Sequence, residues 1–400
     1  MANLDLMREL SVQTDSKIVM LVADGLGGLP GPDGLSELEV ARLPNLDQLA
    51  SESICGVVQH VLPGITPGSG PGHLALFGYD PLVFDIGRGV LEALGVDFEM
   101  GPHDLAARGN FCTVGHDGKI TDRRAGRIPT DLCAELCDLL RQIKLDGAEV
   151  FVEPVEGYRW LFVLRGEGLE EGLTETDPQR EGMLPLVVEA RRPEAERAAR
   201  LTNQFVEQAT RLLKDRRPAN MVLLRGFSKL PQMPSMEEVY KLRAGAVAVY
   251  PMYRGLSKLA KMQVFKGGKN VHDEIEVARK IWNDFDFLYI HYKWSDSAGE
   301  DGNFAGKVRA LEELDDAIPA LRSLGPEVLM VTGDHSTPSI MKAHSWHPVP
   351  FLLHCSGFYP DDVRAFNERD CRNGALGRFM ATDVMPLAMA HAGKLAKFGA

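Results

Sequence analysis

Short apolar runs alternate with amphipathic helical patterns over most of the 400-residue chain. The apolar runs have the length of buried strands, and they lie within residues 17–24, 56–61, 285–293, 326–336 and 349–355. The amphipathic patterns predict helices at residues 44–53, 271–285 and 306–324. Strands that alternate with helices form mostly parallel sheets covered on both faces, so the pattern predicts an α/β fold of that kind.

The middle of the chain has a different pattern, in which turn glycines separate alternating apolar runs. Residues 108–127 and 148–166 predict two β-hairpins. A long amphipathic pattern at 192–217 then predicts a helix. We therefore expect an α+β module inserted into a larger α/β domain, with the module at 101–235 and the larger domain at 1–100 and 236–400.

Composition and charge narrow the range of partners. The chain has 56 acidic and 44 basic residues and a formal net charge of −12, which argues against a nucleic-acid or anionic-membrane partner. No apolar run approaches the ~20 residues that span a bilayer, and the N-terminus lacks a secretory pattern. The six scattered cysteines lack CxxC spacing, which favours reduced thiols in a cytoplasmic protein. The oligomeric state stays open.

Acidic and histidine residues follow several of the predicted strands. They are Asp24, Asp296, Asp334, His335 and, a little further on, His344. Because the carboxyl ends of parallel strands meet at one edge of a sheet, these side chains would gather there. Carboxylates held together need a cation, and mixed Asp/His ligation suits two ions such as Mn²⁺, Mg²⁺ or Zn²⁺. Each residue alone fits a helix cap or a turn equally well, and only their coincidence favours a metal site.

The stretch ITPGSGPGHLALFGYDP at 65–81 places Ser69 between two glycines, ahead of a helix expected to begin near His73. A serine hydroxyl is a poor nucleophile at neutral pH, and a divalent ion is one of the few ways to activate it without a neighbouring base.

Arginines recur at turns and strand ends of the middle module. They are Arg108, Arg123, Arg124, Arg127, Arg159, Arg165 and Arg225. Guanidinium groups bind phosphate and carboxylate with two hydrogen bonds, so this placement suggests a focused anion site in an acidic protein. Taken singly, each arginine fits an ordinary surface ion pair.

Several long motifs in this order resemble one known family. The motifs are TPGSGPGHLALFGYDP, RGNF, DRRAGR, YRGLSKLAKM, HYKWSDSAGEDG and GDHSTPSIMKAHSWHPVP. Together they are similar to the archaeal-type cofactor-independent phosphoglycerate mutases of the alkaline phosphatase superfamily. The resemblance extends from about Lys17 to the C-terminal region. It implies a phosphatase-like domain with two metals and a nucleophilic serine, and an inserted substrate-binding domain.

The resemblance also implies roles for individual residues. One metal would bind Asp24, Ser69, Asp334 and His335, and the other would bind Asp296, Glu300 and His344. Glu300 departs from the family pattern, where histidine is usual, and an oxygen ligand favours Mn²⁺ or Mg²⁺ over Zn²⁺. His347 is a further candidate ligand or phosphate contact. The implied substrate contacts are His73, Arg108, Asn110, Arg123, Arg124, Arg127, Arg159, Arg225, Lys258 and Lys293.

The implied reaction is the interconversion of 3-phosphoglycerate and 2-phosphoglycerate in glycolysis and gluconeogenesis. It would pass through a phosphoserine on Ser69 and need no 2,3-bisphosphoglycerate. The inserted module would close as a lid to exclude water, with segments 98–108 and 228–240 as hinges.

Two alternatives remain. The same metals and serine would serve a phosphomonoesterase or another phosphomutase. A non-catalytic protein that binds a phosphorylated metabolite is the other alternative; Glu300 favours it, and Ser69 with the intact GDHS motif argues against it.

Overall fold

The computed structural model describes residues 3–84 and 86–399, which form thirteen β-strands and fourteen α-helices. The strands are β1 Ile18–Ala23, β2 Ile54–Gln59, β3 Asp104–Val114, β4 Ile120–Asp122, β5 Glu149–Glu156, β6 Arg159–Arg165, β7 Met221–Ser228, β8 Ala244–Ala248, β9 Gln263–Lys266, β10 Phe287–Tyr292, β11 Val328–Thr332, β12 Val349–Cys355 and β13 Gly377–Met380. The helices are α1 Leu4–Leu10, α2 Glu37–Val40, α3 Pro44–Ser51, α4 Ser69–Leu76, α5 Arg88–Gly95, α6 Thr130–Leu140, α7 Glu196–Leu213, α8 Met236–Tyr240, α9 Pro251–Leu259, α10 Val271–Ile281, α11 Trp294–Glu300, α12 Phe304–Arg322, α13 Glu368–Cys371 and α14 Val384–His391.

The chain divides into two compact units. Unit 1 comprises the described residues of 1–85 and 233–400, and unit 2 comprises residues 86–232. The first boundary lies earlier than the expected one at residue 101, because α5 belongs to unit 2. Gly89 of α5 lies so close to β3 that a Cβ atom there would come within 2.3 Å of the Ala106 backbone. The predicted hinge at 98–108 therefore lies within unit 2, whereas 228–240 spans the second boundary.

Unit 1 is built on an eight-stranded sheet in the order β13-β2-β12-β11-β1-β10-β8-β9. Strand β12 is antiparallel to both of its neighbours, and every other pairing in the sheet is parallel. The predicted α/β fold with a mostly parallel sheet is confirmed. This topology brings the carboxyl ends of β1, β2, β10 and β11 to the same edge as the amino end of β12.

The strands at the centre of this sheet are buried along their whole length, as the apolar runs predict. One face is covered by α3, α10 and α12, whose Leu49, Ile275 and Leu314 are buried in one core with Leu21 of β1. The sheet edge that carries polar residues is therefore held by a rigid apolar interior.

Unit 2 contains a five-stranded antiparallel sheet in which β4-β3-β6-β5 are consecutive neighbours and β7 also pairs with β3. The two predicted hairpins form as β3–β4 and β5–β6, and the predicted long helix forms as α7. Phe205 of α7 packs against Trp160 and Phe162 of β6. Cys133 and Cys137 lie one turn apart on the buried side of α6, as expected.

All six cysteines are buried and free, in agreement with the expectation of reduced thiols. Over residues 3–84 and 86–399, no helix combines the length and the apolarity that crossing a bilayer requires.

Candidate active site

The predicted metal ligands of unit 1 come together at the edge of the sheet described above. Asp24 follows β1, Asp296 follows β10, and Asp334 and His335 follow β11. His344 precedes β12 and reaches the same edge because that strand runs in the opposite direction. Four chain segments therefore meet there: those after β1 and β10, the one between β11 and β12, and the one that leads from β2 to Ser69.

Helix α4 begins at Ser69, earlier than the expected start near His73. Gly68 is its extended N-cap residue. Pro71 falls in the first turn, where its missing N–H removes no bond within the helix. A Cβ atom at Gly72 would lie 2.2 Å from the Asp334 carbonyl oxygen. Glycine at that position thus allows α4 to pack directly on the loop after β11 and to bring Ser69 to it.

The first ligand cluster consists of Asp24, Asp334 and His335. All three side chains are completely buried, and one ligand atom from each lies within 4.8 Å of the others. His335 Nε2 is 3.3 Å from Asp24 Oδ1 and 3.2 Å from Asp334 Oδ2. The same nitrogen is 3.1 Å from Ser69 Oγ. The structure thus brings together the four residues predicted for the first metal.

The second ligand cluster consists of Asp296, His335 and His344. His344 Nε2 is 3.6 Å from Asp296 Oδ1 and 3.7 Å from Glu300 Oε1. The His335 and His344 rings are stacked with their centroids 3.6 Å apart. Glu300 ends α11 with its side chain about half exposed, so it reaches the cluster from the solvent side. His335 belongs to both clusters and links them.

These residues fit a divalent cation. In the described part of the chain, Asp24 Oδ1 and Asp334 Oδ2 are buried without a hydrogen-bond partner. A buried carboxylate oxygen without a donor is costly unless a positive charge compensates for it. Carboxylate and imidazole donors at this spacing suit Mn²⁺, Mg²⁺ or Zn²⁺.

Lys293 and His335 lie against the carboxylates of the clusters. Lys293 Nζ donates to Asp24 Oδ2 at 2.9 Å and also to Asp296. Burial would raise the pKa of Asp24, but Lys293, His291 and His335 hold that pKa well below its usual range. Burial disfavours charge on His335 as well, yet the adjacent Asp334 and Asp24 raise its pKa to about 10. Positive charge next to Asp24 and Asp334 therefore favours the ionised carboxylates.

A layer of buried aromatic residues supports the first cluster from behind. Tyr253 donates its hydroxyl proton to Asp24 Oδ2 and stacks on His291, with ring centroids 3.6 Å apart. His291 Nε2 lies 3.4 Å from Asp24 Oδ2. Sequence reasoning assigned no role to either residue. The available signals were a histidine inside the apolar strand FLYIHY and a tyrosine inside the motif YRGLSKLAKM.

His73 also belongs to this layer. Its Nδ1 lies 2.8 Å from the Ser69 carbonyl oxygen and 3.3 Å from Asp334 Oδ2, and the side chain has no exposed surface. Its complete burial favours positioning of Ser69 and Asp334 over the expected contact with substrate.

His347 and Lys258 are two further residues that the sequence predicts for the site. His347 belongs to neither ligand cluster of the described residues. Its ring stacks on Trp346 and its Nδ1 is 3.1 Å from Ser345 Oγ, so these neighbours account for its position. Lys258 is half-buried near the end of α9, and burial lowers its pKa.

Four predicted anion-binding residues lie on one face of the unit 2 sheet. Arg108 pairs across strands with Arg225, and Asn110 pairs with Arg159. Residues directly opposite each other, and residues two apart on one strand, share a face. We call this set of four residues the arginine face. Burial, with Arg159 nearby, lowers the pKa of Arg108 to about 10.

Carboxylates balance the arginine face and extend it. Arg225 Nε is 3.3 Å from Glu175 Oε2, and Arg225 Nη1 is 3.8 Å from Asp177 Oδ2. Arg123 donates to both oxygens of Asp177, at 3.0 and 2.6 Å. The shared Asp177 therefore brings Arg123 next to Arg225.

Arg124 and Arg127 are exposed around the short 3₁₀ turn Ala125–Arg127, outside the arginine face. Three consecutive residues of this turn are left-handed, with φ of 46° at Ala125, 66° at Gly126 and 55° at Arg127. Two of the three are not glycine, so the turn is strained in a way that is typical of functional loops.

Known proteins resemble this chain over nearly its whole length. Residues 50–220 match a family model described as 2,3-bisphosphoglycerate-independent phosphoglycerate mutase. A protein of Thermotoga petrophila named a probable 2,3-bisphosphoglycerate-independent phosphoglycerate mutase is 49% identical over 395 residues and covers 98% of each chain. A Thermus thermophilus protein of the same name is 47% identical over 400 residues, again covering 98% of each chain.

Solved structures agree with these relatives. A cofactor-independent phosphoglycerate mutase from Thermoplasma acidophilum has a TM-score of 0.72 at 34% identity, covering 94% of this chain and 100% of that one. A protein from Pyrococcus horikoshii has a TM-score of 0.84 at 28% identity, covering 96% and 99%.

Proposed function

The chain belongs to the 2,3-bisphosphoglycerate-independent phosphoglycerate mutase family, and from this membership we propose that it interconverts 3-phosphoglycerate and 2-phosphoglycerate. The names of its relatives imply a reaction without 2,3-bisphosphoglycerate. One observation in this chain carries the proposal: Ser69 Oγ lies 3.1 Å from Nε2 of His335, the residue that belongs to both ligand clusters.

Ser69 is the proposed nucleophile. Its Oγ attacks the phosphorus of the substrate, the bond from phosphorus to the glycerate oxygen breaks, and phosphoserine and glycerate result. The seryl proton ends on the released glycerate hydroxyl, so the step is balanced. Attack by the other glycerate hydroxyl on phosphoserine then returns the proton to Ser69 and gives the isomer.

Helix α4 orients this step. Ser69 is its first residue, so the unpaired amides of the first turn point toward the group that Ser69 attacks. Lys293 holds its ammonium between Asp24 and Asp296, where it is placed to bind a phosphoryl oxygen. Buried His73 fixes the Ser69 backbone from the other side.

The proposed metal ligands follow from the two clusters. Asp24, Ser69, Asp334 and His335 would hold one ion, and Asp296, Glu300 and His344 would hold the other. Bound divalent ions would neutralise the charge on the phosphoryl oxygens during transfer. The carboxylate of Glu300 favours Mn²⁺ or Mg²⁺ over Zn²⁺ at the second position.

The arginine face of unit 2 is proposed to recognise the carboxylate and the phosphate of phosphoglycerate. Guanidinium groups on neighbouring strands present several parallel N–H donors, which match both anions. Arg123 joins this set through its shared partner Asp177.

An enolase-coupled assay on 3-phosphoglycerate tests the proposal, with 2,3-bisphosphoglycerate absent and Mn²⁺, Mg²⁺ and Zn²⁺ varied. We expect turnover with Mn²⁺ or Mg²⁺ and its loss in excess EDTA. Full turnover in EDTA would exclude the metal-dependent mechanism. Faster release of inorganic phosphate than formation of 2-phosphoglycerate would instead identify a phosphomonoesterase.

A further inference from the structure

Lys307, in the first turn of α12, is a lysine without any exposed surface. Its ammonium donates to the backbone carbonyl oxygens of Gly25, Gly27 and Thr337, each at 2.9 Å. An ammonium has three donors, so these three carbonyls use its hydrogen-bonding capacity in full.

The three carbonyls belong to the two loops that carry the first ligand cluster. Gly25 and Gly27 follow Asp24, and Thr337 follows His335. The Thr337 amide also donates to the carbonyls of Gly25 and Gly27, at 3.3 and 3.0 Å. Lys307 thus lies at the junction where the two loops are joined, and it supplies hydrogen-bond donors to the carbonyl of Thr337 and to two carbonyls of the Asp24 loop.

The junction of these two loops also contacts the second ligand cluster. Thr337 Oγ1 donates to Asp296 Oδ1 at 2.7 Å and lies 3.0 Å from His335 Nδ1. Gly25 donates its amide proton to Asp334 Oδ1 at 3.1 Å. A shift of the Gly25 or Thr337 backbone would therefore move side chains in both clusters.

The stability of α12 does not explain why the Lys307 ammonium is buried. A cation in the first turn of a helix opposes the helix dipole, and burial of an ammonium is costly. That burial lowers the pKa of Lys307. The Lys307 ammonium donates its hydrogen bonds to carbonyls of the two loops, and the carboxylates of Glu37, Glu368, Asp296 and Asp24 also favour its charge. The interactions that favour the buried charge therefore come from outside α12.

We propose that Lys307 is a positioning residue that holds the Asp24 and His335 loops at the spacing required for metal binding. This role rests on the metal centre proposed above. Without the ammonium, the Thr337 carbonyl loses this donor, and the Gly25 and Gly27 carbonyls are left to share the Thr337 amide. The loops must then rearrange to satisfy the buried oxygens. Residues that orient metal ligands in this way typically change metal affinity by about 10- to 100-fold.

The test compares Lys307→Met with Lys394→Met. Lys394 is also buried in unit 1, and its Nζ donates to the Thr14 carbonyl oxygen at 2.7 Å, away from both ligand loops. Mn²⁺ binding is followed by the electron paramagnetic resonance signal of free Mn²⁺, and Tm is measured with and without Mn²⁺. Both variants should have a lower Tm in EDTA.

Only Lys307→Met should bind Mn²⁺ at least ~10-fold more weakly and gain less Tm from it. If Lys307→Met bound Mn²⁺ as tightly as the parent while losing Tm like Lys394→Met, the role would be structural only and the proposal would be overturned. If Lys307→Met does not fold, Lys307→Gln, which keeps two donors and no charge, is measured in the same way. A parent protein without Mn²⁺ affinity would overturn the metal centre itself, and this role with it.

Discussion

The ligand clusters of unit 1 and the arginine face of unit 2 both concentrate like charges, but they balance those charges differently. In unit 1, Asp24 and Asp334 are completely buried, and two of their oxygens have no hydrogen-bond partner among the described residues. In unit 2, Arg225 and its partner Glu175 are both partly exposed, with 26% and 30% of their side chains accessible. The carboxylates of unit 1 keep two oxygens without a hydrogen-bond donor, whereas the arginine of unit 2 has a carboxylate partner in place.

This difference separates two kinds of binding. Carboxylate oxygens without donors in a buried site favour an ion that stays bound, because removing it would leave uncompensated charge. Ion pairs that contact water contribute little to stability, so the proposed exchange of Glu175 for a substrate anion on Arg225 would have a small cost. An ion that stays bound at the ligand clusters suits the proposed chemistry. Exchangeable ion pairs on the arginine face suit a substrate that must bind and leave.

Ser69→Ala should have the largest effect, because it removes the nucleophile and leaves the arginine face intact. We expect turnover in the enolase-coupled assay to fall by at least ~10³-fold while 3-phosphoglycerate still binds. Intact-mass analysis of acid-quenched protein should show a phosphoryl group on the parent and none on the variant. Ser297→Ala, an exposed serine next to Asp296, is the control. Turnover of Ser69→Ala near that of the control would remove Ser69 from the mechanism.

Arg108→Gln tests the arginine face of unit 2. Loss of a charge-assisted contact of ~1.5–3 kcal/mol should raise KM for 3-phosphoglycerate about 10- to 100-fold, with a smaller change in kcat. Arg165→Gln is the matched control, because Arg165 donates to both oxygens of Asp104 and lies over the Phe151 ring. Equal KM changes in the two variants would contradict a specific anion site on the arginine face.

Glu300→His should change metal preference more than total activity. A nitrogen ligand in place of oxygen should raise the ratio of Zn²⁺ to Mn²⁺ affinity on the order of 10-fold. Competition titrations with a metal-sensitive dye measure that ratio. Glu300→Gln keeps an oxygen and should not shift the preference toward Zn²⁺. An unchanged ratio in Glu300→His would place Glu300 outside the second metal position.

Glu274→Gln should affect stability rather than turnover. The variant tests a buried carboxyl group without a cation, in contrast to the buried carboxylates of the ligand clusters. Glu274 is buried without a hydrogen-bond partner among the described residues, and burial raises its pKa to about 9 from 4.5. The folded state therefore holds a proton that the unfolded state releases above its lower pKa. The stability this proton confers is complete below pH 4.5 and is lost as pH rises toward 9.

Between pH 5 and pH 9 the parent should thus lose stability relative to Glu274→Gln, at most ~1.4 kcal/mol per pH unit. Calorimetric Tm values across this range measure the effect. Glu276→Gln, on the exposed side of the same helix, should follow the parent. A parallel pH dependence in parent and Glu274→Gln would show that Glu274 is ionised in the folded state.

The apolar strands of unit 1 could be predicted because a strand buried on both faces has a continuous apolar sequence. The direction of β12 could not, since VPFLLHC reads like its neighbours and only the path of residues 333–348 reverses it. The start of α4 could not be predicted from the sequence, because glycine and proline occupy most of its first turn. That turn is stabilised by packing on Asp334, which local sequence does not reveal.

The candidate ligands could be found because strand ends in a parallel sheet share an edge. Lys307 could not be found in this way. In GKVRALEELDD it has the sequence surroundings of a solvated helix lysine, and its acceptors at Gly25 and Gly27 are 282 and 280 positions away in the chain. His291 and Tyr253 act through a distant partner in the same manner, since Tyr253 is 229 positions from Asp24.

The strand order of unit 1 also determines when β1 can pair with its neighbours during synthesis. Strand β1 leaves the ribosome first, yet both of its neighbours, β10 and β11, lie within residues 287–332. Residues 86–232 form their own sheet and are complete long before that. The nascent chain therefore carries an apolar strand with two open edges while the inserted unit is already able to fold, and unpaired edges of this kind are the ones that chaperones protect from aggregation.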